Sequence, residues 1–230
     1  MESQSNTRSI EIGQRILSKN DKVAMELRKT YAQDNLFVIN LMSSPGSGKT
    51  TLLENLAKHK LLEFSVIEGD LQTNRDAARL NTFGVNAHQI TTGDACHLEA
   101  LMVQEALGIL RAQGDLKDFI FIENVGNLVC PASYDLGANM NIVLLSTPEG
   151  DDKVLKYPTI FLCADAVIIS KADLIDVFNF KVAQVKEDLE KLKKEIPIFL
   201  ISSKDVESQR EFCKFLQQNK EKNYVSCHTF

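Results

Sequence analysis

The sequence lacks the features that mark several protein classes. Its 230 residues carry 26 basic and 31 acidic side chains, a net charge of -5 that gives no basic footprint for a nucleic-acid backbone. The longest apolar runs are well short of the roughly 20 residues that span a bilayer, and the N-terminal MESQSNTRSIEIG has no apolar signal core. We therefore expect a cytoplasmic protein without nucleic-acid or membrane partners. In that compartment we expect the five cysteines to be free thiols or metal ligands rather than disulfides.

The chain also lacks repeats, low-complexity stretches and long linkers, which favours one main domain. Apolar runs such as LFVINLM, FIFIEN and AVIIS alternate with stretches of helical spacing. Continuous apolar strands between helices are typical of a parallel sheet that is covered on both faces. We predict an α/β fold with a mostly parallel central sheet. We divide it into an N-terminal helical arm at 1–34 with a break at SKND, a main domain at 35–220 and a C-terminal tail at 221–230.

The segment SSPGSGKTT at 43–51 follows the apolar run LFVINLM and precedes a helical stretch. A strand, a Gly-rich turn ending in Gly-Lys-Thr and a helix form a Walker A phosphate loop, and they predict a P-loop NTPase. Ser43 stands where the pattern has its first glycine, which serves the start of the loop more than the phosphate contacts. The alternative is a turn without a ligand. The residues assigned to the nucleotide here are Gly46, Ser47, Gly48, Lys49, Thr50 and Thr51.

Two further segments indicate that the nucleotide carries guanine. VIISKAD resembles the [NS]KxD motif, whose aspartate accepts hydrogen bonds from the guanine base, and FLISSKD one strand later resembles the second guanine loop. A lone SKAD could equally be a charged loop after a buried strand, but its place downstream of the phosphate loop favours GTP over ATP. The residues assigned to the base are Ser170, Lys171, Asp173, Ser202, Ser203 and Lys204.

Two strand-end carboxylates are candidates for binding Mg²⁺ together with the Thr50 hydroxyl. In IENVG, Glu123 is followed three residues later by Gly126, which resembles a DxxG switch with Glu in place of Asp. Asp70 ends the preceding apolar run, where its alternative role is a helix cap. We predict Lys49, Glu123 and Asp70 as catalytic residues. Because Asn127 and not Gln follows the switch glycine, we expect slow hydrolysis.

A second group of residues favours a softer metal than Mg²⁺. Cys96 and His97 are adjacent in TTGDACHLEALM, and Cys130 lies four residues after Gly126 in NLVCP. Thiolate and imidazole together favour Zn²⁺ or Ni²⁺. A complete site would need Cys130, a second subunit or both. On spacing alone, core thiols and a surface imidazole remain the alternative.

Six segments together closely resemble the HypB family of nickel-incorporation GTPases for hydrogenase, in the SIMIBI class of P-loop proteins: SPGSGKTTLLE, EGDLQTNRDA, TTGDACHLEA, IENVGNLVCP, PEGDDKVLKYP and SKADL. The resemblance covers about 36–203. It implies a GTP-hydrolysing metallochaperone that dimerises with GTP, binds Ni²⁺ and also Zn²⁺ at Cys96, His97 and Cys130, and delivers nickel for [NiFe]-hydrogenase maturation with partners such as a second nickel chaperone. Lys153 in PEGDDK is a candidate dimer contact, and a solvated surface lysine is the alternative.

The sequence departs from some members of that family before the GTPase domain. It has no Cys-rich MCxxCGC-type motif and no His-rich tract, so we expect all metal binding at the site beside the switch. Cys227 and His228 repeat the Cys-His pair, and we interpret them as part of an exposed tail. Two other functions remain open: a metal-storage or metal-sensing protein with incidental nucleotide binding, and a small-molecule kinase, which SKAD and the second SK loop disfavour.

Overall fold

A computed structural model describes the backbone of residues 2–70, 75–93 and 95–228, and the side chains of 16–70, 77–93 and 95–223. The expected Cys227 and His228 pair lies outside the residues whose side chains are described. None of the helices within the described ranges is both long and apolar enough to cross a membrane.

The sheet is the predicted one, and every strand pair in it is parallel. Its strands stand in the order β3-β2-β4-β1-β5-β6-β7. Each continuous apolar run of the sequence forms a strand, as expected for a sheet buried on both faces. The strands are β1 (Phe37–Ser43), β2 (Phe64–Asp70), β3 (Asn86–Thr91), β4 (Phe119–Glu123), β5 (Met140–Ser146), β6 (Ala166–Ser170) and β7 (Ile198–Ile201).

Eight α-helices connect or flank these strands in the described part of the chain, and three short 3₁₀ turns lie between them. The helices are α1 (Glu2–Gln33), α2 (Lys49–Lys58), α3 (Arg75–Thr82), α4 (Ala100–Gln113), α5 (Lys153–Lys156), α6 (Pro158–Cys163), α7 (Val182–Leu192) and α8 (Val206–His228). The 3₁₀ turns are Cys130–Ser133, Thr147–Glu149 and Ala172–Leu174. Helices α5 and α6 are separate, because Pro158 starts α6 directly after α5 ends.

Alternate strand residues point to opposite faces, which separates the core into layers. Ile39 belongs to the cluster covered by α2, α3 and α8, whereas its neighbour Val38 belongs to the cluster covered by α1 and α4. A third cluster, on α6 and α7, completes the second face toward β5 and β6. The helices on both faces confirm the predicted α/β class.

The N-terminal arm is more than an extension. Its helix α1 is continuous, without the break expected at SKND. Asn20 in that segment lies within the helix, and its side chain is buried. Ala24, Leu27 and Tyr31 are fully buried against α4 and the sheet. The C-terminal half of α1 is therefore a layer of the main domain. At the other end, α8 runs without interruption across the expected boundary at 220.

The parallel arrangement places all the predicted nucleotide residues at one edge. The carboxyl ends of β1, β4, β2, β6 and β7 lead into the phosphate loop, Glu123, Asp70, Ser170 and Ser202 respectively. Ligands of open α/β sheets bind outside these ends. The fold thus gathers residues that are more than 150 positions apart in the chain.

Candidate functional site

The phosphate loop has the backbone that its sequence predicts. Gly46 and Gly48 have φ angles of 70° and 97°, a left-handed conformation that glycine adopts without a steric penalty. The turn ends where α2 begins at Lys49, so the N–H groups of a helix N-terminus face the loop. Ser43, which replaces the first glycine of the pattern, is the last residue of β1 and fully buried. A serine there leaves the loop geometry intact.

Lys49 and Ser47 are held in place within this loop. The Lys49 side chain is buried, and its Nζ donates a hydrogen bond of 3.0 Å to Ser43 Oγ. Ser47 Oγ donates to Glu149 Oε1 at 2.6 Å, which links the loop to the PEGDD segment. Sequence reasoning missed Glu149, although it lies in a segment that carried the family resemblance.

The residues predicted for Mg²⁺ converge at the ends of β4 and β2. Thr50 Oγ1 donates a hydrogen bond of 2.7 Å to Glu123 Oε1. Asp70 ends β2, the strand beside β4. Glu68, which sequence reasoning also missed, is buried on β2 directly opposite Glu123. The signal for Glu68 was an acid inside an apolar run. Hydroxyl and carboxylate oxygens are the ligands that Mg²⁺ prefers, so the set fits this ion.

The two segments that we predict to bind guanine lie next to each other. Asp173 Oδ1 accepts from the Ser202 hydroxyl at 2.8 Å, and Asp173 Oδ2 accepts from Lys204 Nζ at 2.7 Å. These hydrogen bonds, that of Lys204 first, hold the pKa of the Asp173 carboxyl below its usual value. The carboxylate is therefore ionised at neutral pH and acts only as an acceptor. A guanine base presents two adjacent donors to such a group.

The VIISKAD segment also donates hydrogen bonds to the phosphate loop. Ser170 Oγ donates to the Ser47 carbonyl at 2.6 Å, and Lys171 Nζ donates to the Gly46 carbonyl at 2.9 Å. Lys171 has a φ of 55°, which lets the chain turn sharply after β6. A cavity of about 310 Å³ lies between the two loops, and its lining includes Ser47, Gly48, Thr51, Ser170, Lys171, Asp173, Ser203 and Lys204.

Gln209 is a residue of this region that sequence reasoning missed. It is fully buried on α8, and its Nε2 donates a hydrogen bond of 2.8 Å to the Ser202 carbonyl. Since Ser202 in turn holds Asp173, Gln209 fixes the second guanine loop from behind. A glutamine on the apolar side of a helix gives little sequence signal.

The three predicted soft ligands form one cluster. One ligand atom from each of Cys96, His97 and Cys130 lies within 4.8 Å of the other two. Cys96 Sγ lies 2.7 Å from Cys130 Sγ and 3.8 Å from His97 Nδ1. The residues come from the segment before α4 and from the 3₁₀ turn after β4. Two sulfurs and one imidazole nitrogen can hold a borderline or soft metal ion.

Neighbouring side chains tune this cluster. The His97 ring stacks on Tyr134, with centroids 3.7 Å apart and planes 17° from parallel. Partial burial lowers the pKa of His97, against a smaller opposing effect of Glu99, so the imidazole is neutral and free to bind metal at pH 7. The hydrogen bond with Cys96 raises the pKa of the Cys130 thiol. Tyr134 and Glu99 were missed, although both lie within four residues of a predicted ligand.

A short path joins the two sites. Gly126 packs so closely on the phosphate loop that a Cβ there would lie 2.7 Å from Pro45 Cα. The next residue, Asn127, accepts hydrogen bonds through Oδ1 from the N–H groups of Val129 at 2.7 Å and Cys130 at 3.3 Å. Asn127 stands where other GTPases have a water-positioning glutamine. Here its side chain holds the backbone of Cys130, a candidate metal ligand.

Comparison with known proteins matches residues 37–200 to the model of the CobW/HypB/UreG nucleotide-binding domain. The hydrogenase/urease maturation factor HypB of Helicobacter pylori (strain J99) is 64% identical over 97% of this chain and 93% of its own length. The protein of the same name from Helicobacter hepaticus is 61% identical over 98% and 94%. A crystal structure of Helicobacter pylori HypB in complex with nickel has a TM-score of 0.88 and 64% identity, covering 92% of this chain and all of that one. The chain therefore belongs to the CobW/HypB/UreG family of P-loop nucleotide-binding proteins, and within it to the HypB group.

Proposed function

We propose that this protein is a GTP-hydrolysing metallochaperone that couples GTP-dependent dimerisation to the delivery of nickel for [NiFe]-hydrogenase maturation. The observation that carries the proposal is the path from the phosphate loop through Gly126 and Asn127 to Cys130. A change at the loop that senses the γ-phosphate reaches a metal ligand within four residues. Such proximity gives the nucleotide a direct means of altering the metal site.

The nucleotide in this proposal is GTP or GDP, because ionised Asp173 faces the cavity beside the phosphate loop. Lys49 lies at the loop to neutralise charge that develops on the β- and γ-phosphates. Thr50, Glu123 and Asp70 would hold Mg²⁺, which when bound withdraws charge from the phosphate oxygens. We expect slow hydrolysis, because Asn127 stands in place of a water-positioning glutamine and its Oδ1 accepts hydrogen bonds from two backbone N–H groups.

The metal in this proposal is nickel, with zinc as a second ion that the same ligands bind. Cys96, His97 and Cys130 supply three ligand atoms, so a fourth comes from water or from a second copy of the chain. Both thiols lose their protons on binding, which makes the affinity depend on pH. A site that two subunits share across a two-fold axis would exist only in the dimer.

Exposed apolar side chains beside the cluster support an interface there. Val129, next to Cys130, is 60% exposed. Leu162 is half exposed, and its neighbour Cys163 contacts the Ala132 carbonyl of the same 3₁₀ turn at 3.7 Å. Burying these groups against a second copy would remove apolar surface from water. Lys153, at the start of α5, is a further contact that we propose for this dimer.

The proposed setting is the cytoplasm, and the partners are proteins of hydrogenase maturation such as a second nickel chaperone. Both Helicobacter relatives carry hydrogenase and urease in their names, so an immature urease is a second candidate recipient. The relative in the nickel complex shares 64% of its residues with this chain, which supports nickel as the cargo.

The proposal is tested by nickel stoichiometry and molar mass, measured on the purified protein with GDP and with a non-hydrolysable GTP analogue. Cys96→Ala and Cys130→Ala should each abolish tight nickel binding. Cys213→Ala is the matched control, because that thiol lies outside the cluster, in the core on the other face of the sheet, and this variant should bind nickel as wild type does. A monomer of unchanged mass in both nucleotide states, or nickel binding that survives both cluster variants, would overturn the proposal.

A further inference from the structure

Asn20 on α1 makes two hydrogen bonds in opposite directions from a side chain that is only 5% exposed. Its Oδ1 accepts from the Ala100 N–H at 2.8 Å, and its Nδ2 donates to the Asp135 carbonyl at 2.8 Å. The amide orientation follows from the partners, because a backbone N–H can only donate and a carbonyl can only accept. Both polar ends of this buried amide are therefore satisfied.

The two partners of Asn20 belong to the two segments that carry the metal-ligand candidates. Ala100 begins α4, three residues after His97. Asp135 follows the 3₁₀ turn that starts at Cys130, and it comes directly after Tyr134, whose ring stacks on His97. One side chain from a distant helix thus bridges both halves of the cluster.

Helix α1 also fixes the second of these segments by other contacts. Arg28 forms a 2.7 Å ion pair with Asp135 Oδ1. Gly137, with a φ of 73°, passes so near α1 that a Cβ there would lie 2.7 Å from the Ala24 carbonyl oxygen. The segment cannot move far from α1 while these contacts last. Asn20 adds the connection from α1 to the Cys96–His97 side.

We propose that Asn20 is a positioning residue for the metal site, which sets the distance between Cys130 and the Cys96–His97 pair so that their ligand atoms converge on one ion. This inference rests on the proposed nickel function. Metal affinity depends on the groups that orient the ligands, and their removal commonly costs 10- to 100-fold. Without Asn20 the first N–H of α4 and the Asp135 carbonyl lose their buried partners, so both segments relax independently.

Two substitutions separate the two hydrogen bonds. Asn20→Ala removes both, and we expect it to weaken nickel binding about tenfold, at the low end of the range for orienting groups. Asn20→Asp keeps an acceptor for the Ala100 N–H, which a negative charge suits at a helix N-terminus, but cannot donate to the Asp135 carbonyl. We expect it to release the Cys130 side, because its carboxylate also repels that carbonyl, and so to weaken nickel binding while the Cys96–His97 side stays attached to α1.

Asn86→Ala is the matched control. Asn86 Nδ2 donates to the carbonyls of Gly114 at 2.8 Å and Leu110 at 3.3 Å, so it caps the opposite end of the same helix α4. Its loss should lower the unfolding temperature, as we also expect for Asn20→Ala, without changing the nickel affinity or the thiolate-to-nickel absorption spectrum. A purely structural role for Asn20 predicts that the two alanine variants behave alike.

The experiment is a nickel titration followed by absorption spectroscopy, well below the unfolding temperature of each variant. Weaker binding and an altered spectrum in the Asn20 variants, but not in Asn86→Ala, support the positioning role. Wild-type affinity and spectrum in Asn20→Asp and Asn20→Ala overturn it, and Asn20→Asp decides alone if Asn20→Ala does not fold. If the Cys96→Ala and Cys130→Ala variants bind nickel as tightly as wild type does, the proposed function itself is overturned.

Discussion

At the scale of single residues, we assign most of the proposed nucleotide chemistry to two charged side chains. Lys49 is buried at the start of α2, and Asp173 lies at the rim of the cavity with its carboxylate held by Ser202 and Lys204. Each was identified from a short motif, because a phosphate and a base edge demand particular donors and acceptors. Gln209 and Glu149 hold the same loops through hydrogen bonds. Gln209 belongs to no motif, and the PEGDD segment that contains Glu149 does not indicate which loop Glu149 contacts.

Lys49→Ala should reduce GTP hydrolysis at least 100-fold, since its ammonium opposes charge that develops on the phosphates in the transition state. Lys58→Ala, at the exposed end of the same helix, is the control and should leave hydrolysis unchanged. Phosphate release under single-turnover conditions measures the effect. Wild-type turnover in Lys49→Ala would show that the loop does not bind the reacting phosphates.

Asp173→Asn should weaken GDP binding about 10- to 100-fold, because the amide offers a donor where guanine's own donors need an acceptor and a charge-assisted hydrogen bond is worth about 1.5–3 kcal/mol. Asp176→Asn makes the same change of charge on an exposed residue three positions further on. Competition of GDP and ADP for a fluorescent nucleotide reports the base preference. Unchanged GDP affinity in Asp173→Asn would remove the guanine assignment.

At the scale of elements, the sequence predicted the strands and the site motif that follows each of them. It did not predict the role of α1. Continuous apolar runs identify buried parallel strands, and a motif at a strand end has its position fixed by the sheet. The apolar spacing of α1 predicted a helix, but an amphipathic stripe does not say which surface it covers. The Asn20 bridge depends on two backbone groups far away in the chain, which no local pattern encodes.

Two substitutions in α1 should affect the free energy of unfolding differently. Leu27→Ala leaves a cavity beneath a fully buried side chain and should cost about 2–5 kcal/mol of the free energy of unfolding. Tyr31→Phe removes a buried hydroxyl that has no hydrogen-bond partner in the part of the chain described, so it should be neutral or stabilising. Urea unfolding measures both. A cost below about 0.5 kcal/mol for Leu27→Ala would contradict the packing of α1 on the domain.

At the scale of the whole molecule, the account rests on coupling between two sites that are joined through the turn after β4. The convergence of Cys96, His97 and Cys130 was predicted from the family resemblance, since their spacing alone left core thiols as an alternative. The sequence did not predict that the Asn127 side chain connects these residues to the phosphate loop, because that contact depends on how the turn folds. If the proposal holds, nickel and GTP share one free energy of coupling, and each must change the affinity of the other by the same factor.

The most direct test is therefore a comparison of two ratios on one protein sample. The first is the nickel affinity with a GTP analogue divided by that with GDP, and the second is the preference for the analogue over GDP with nickel divided by the same preference without nickel. We expect the two ratios to agree and to lie between about 5- and 150-fold, the usual range for linked sites. Asn127→Ala, which frees the Cys130 backbone from the switch, should bring both ratios toward one. Identical nickel affinity and stoichiometry in the two nucleotide states of the wild-type protein would contradict the account.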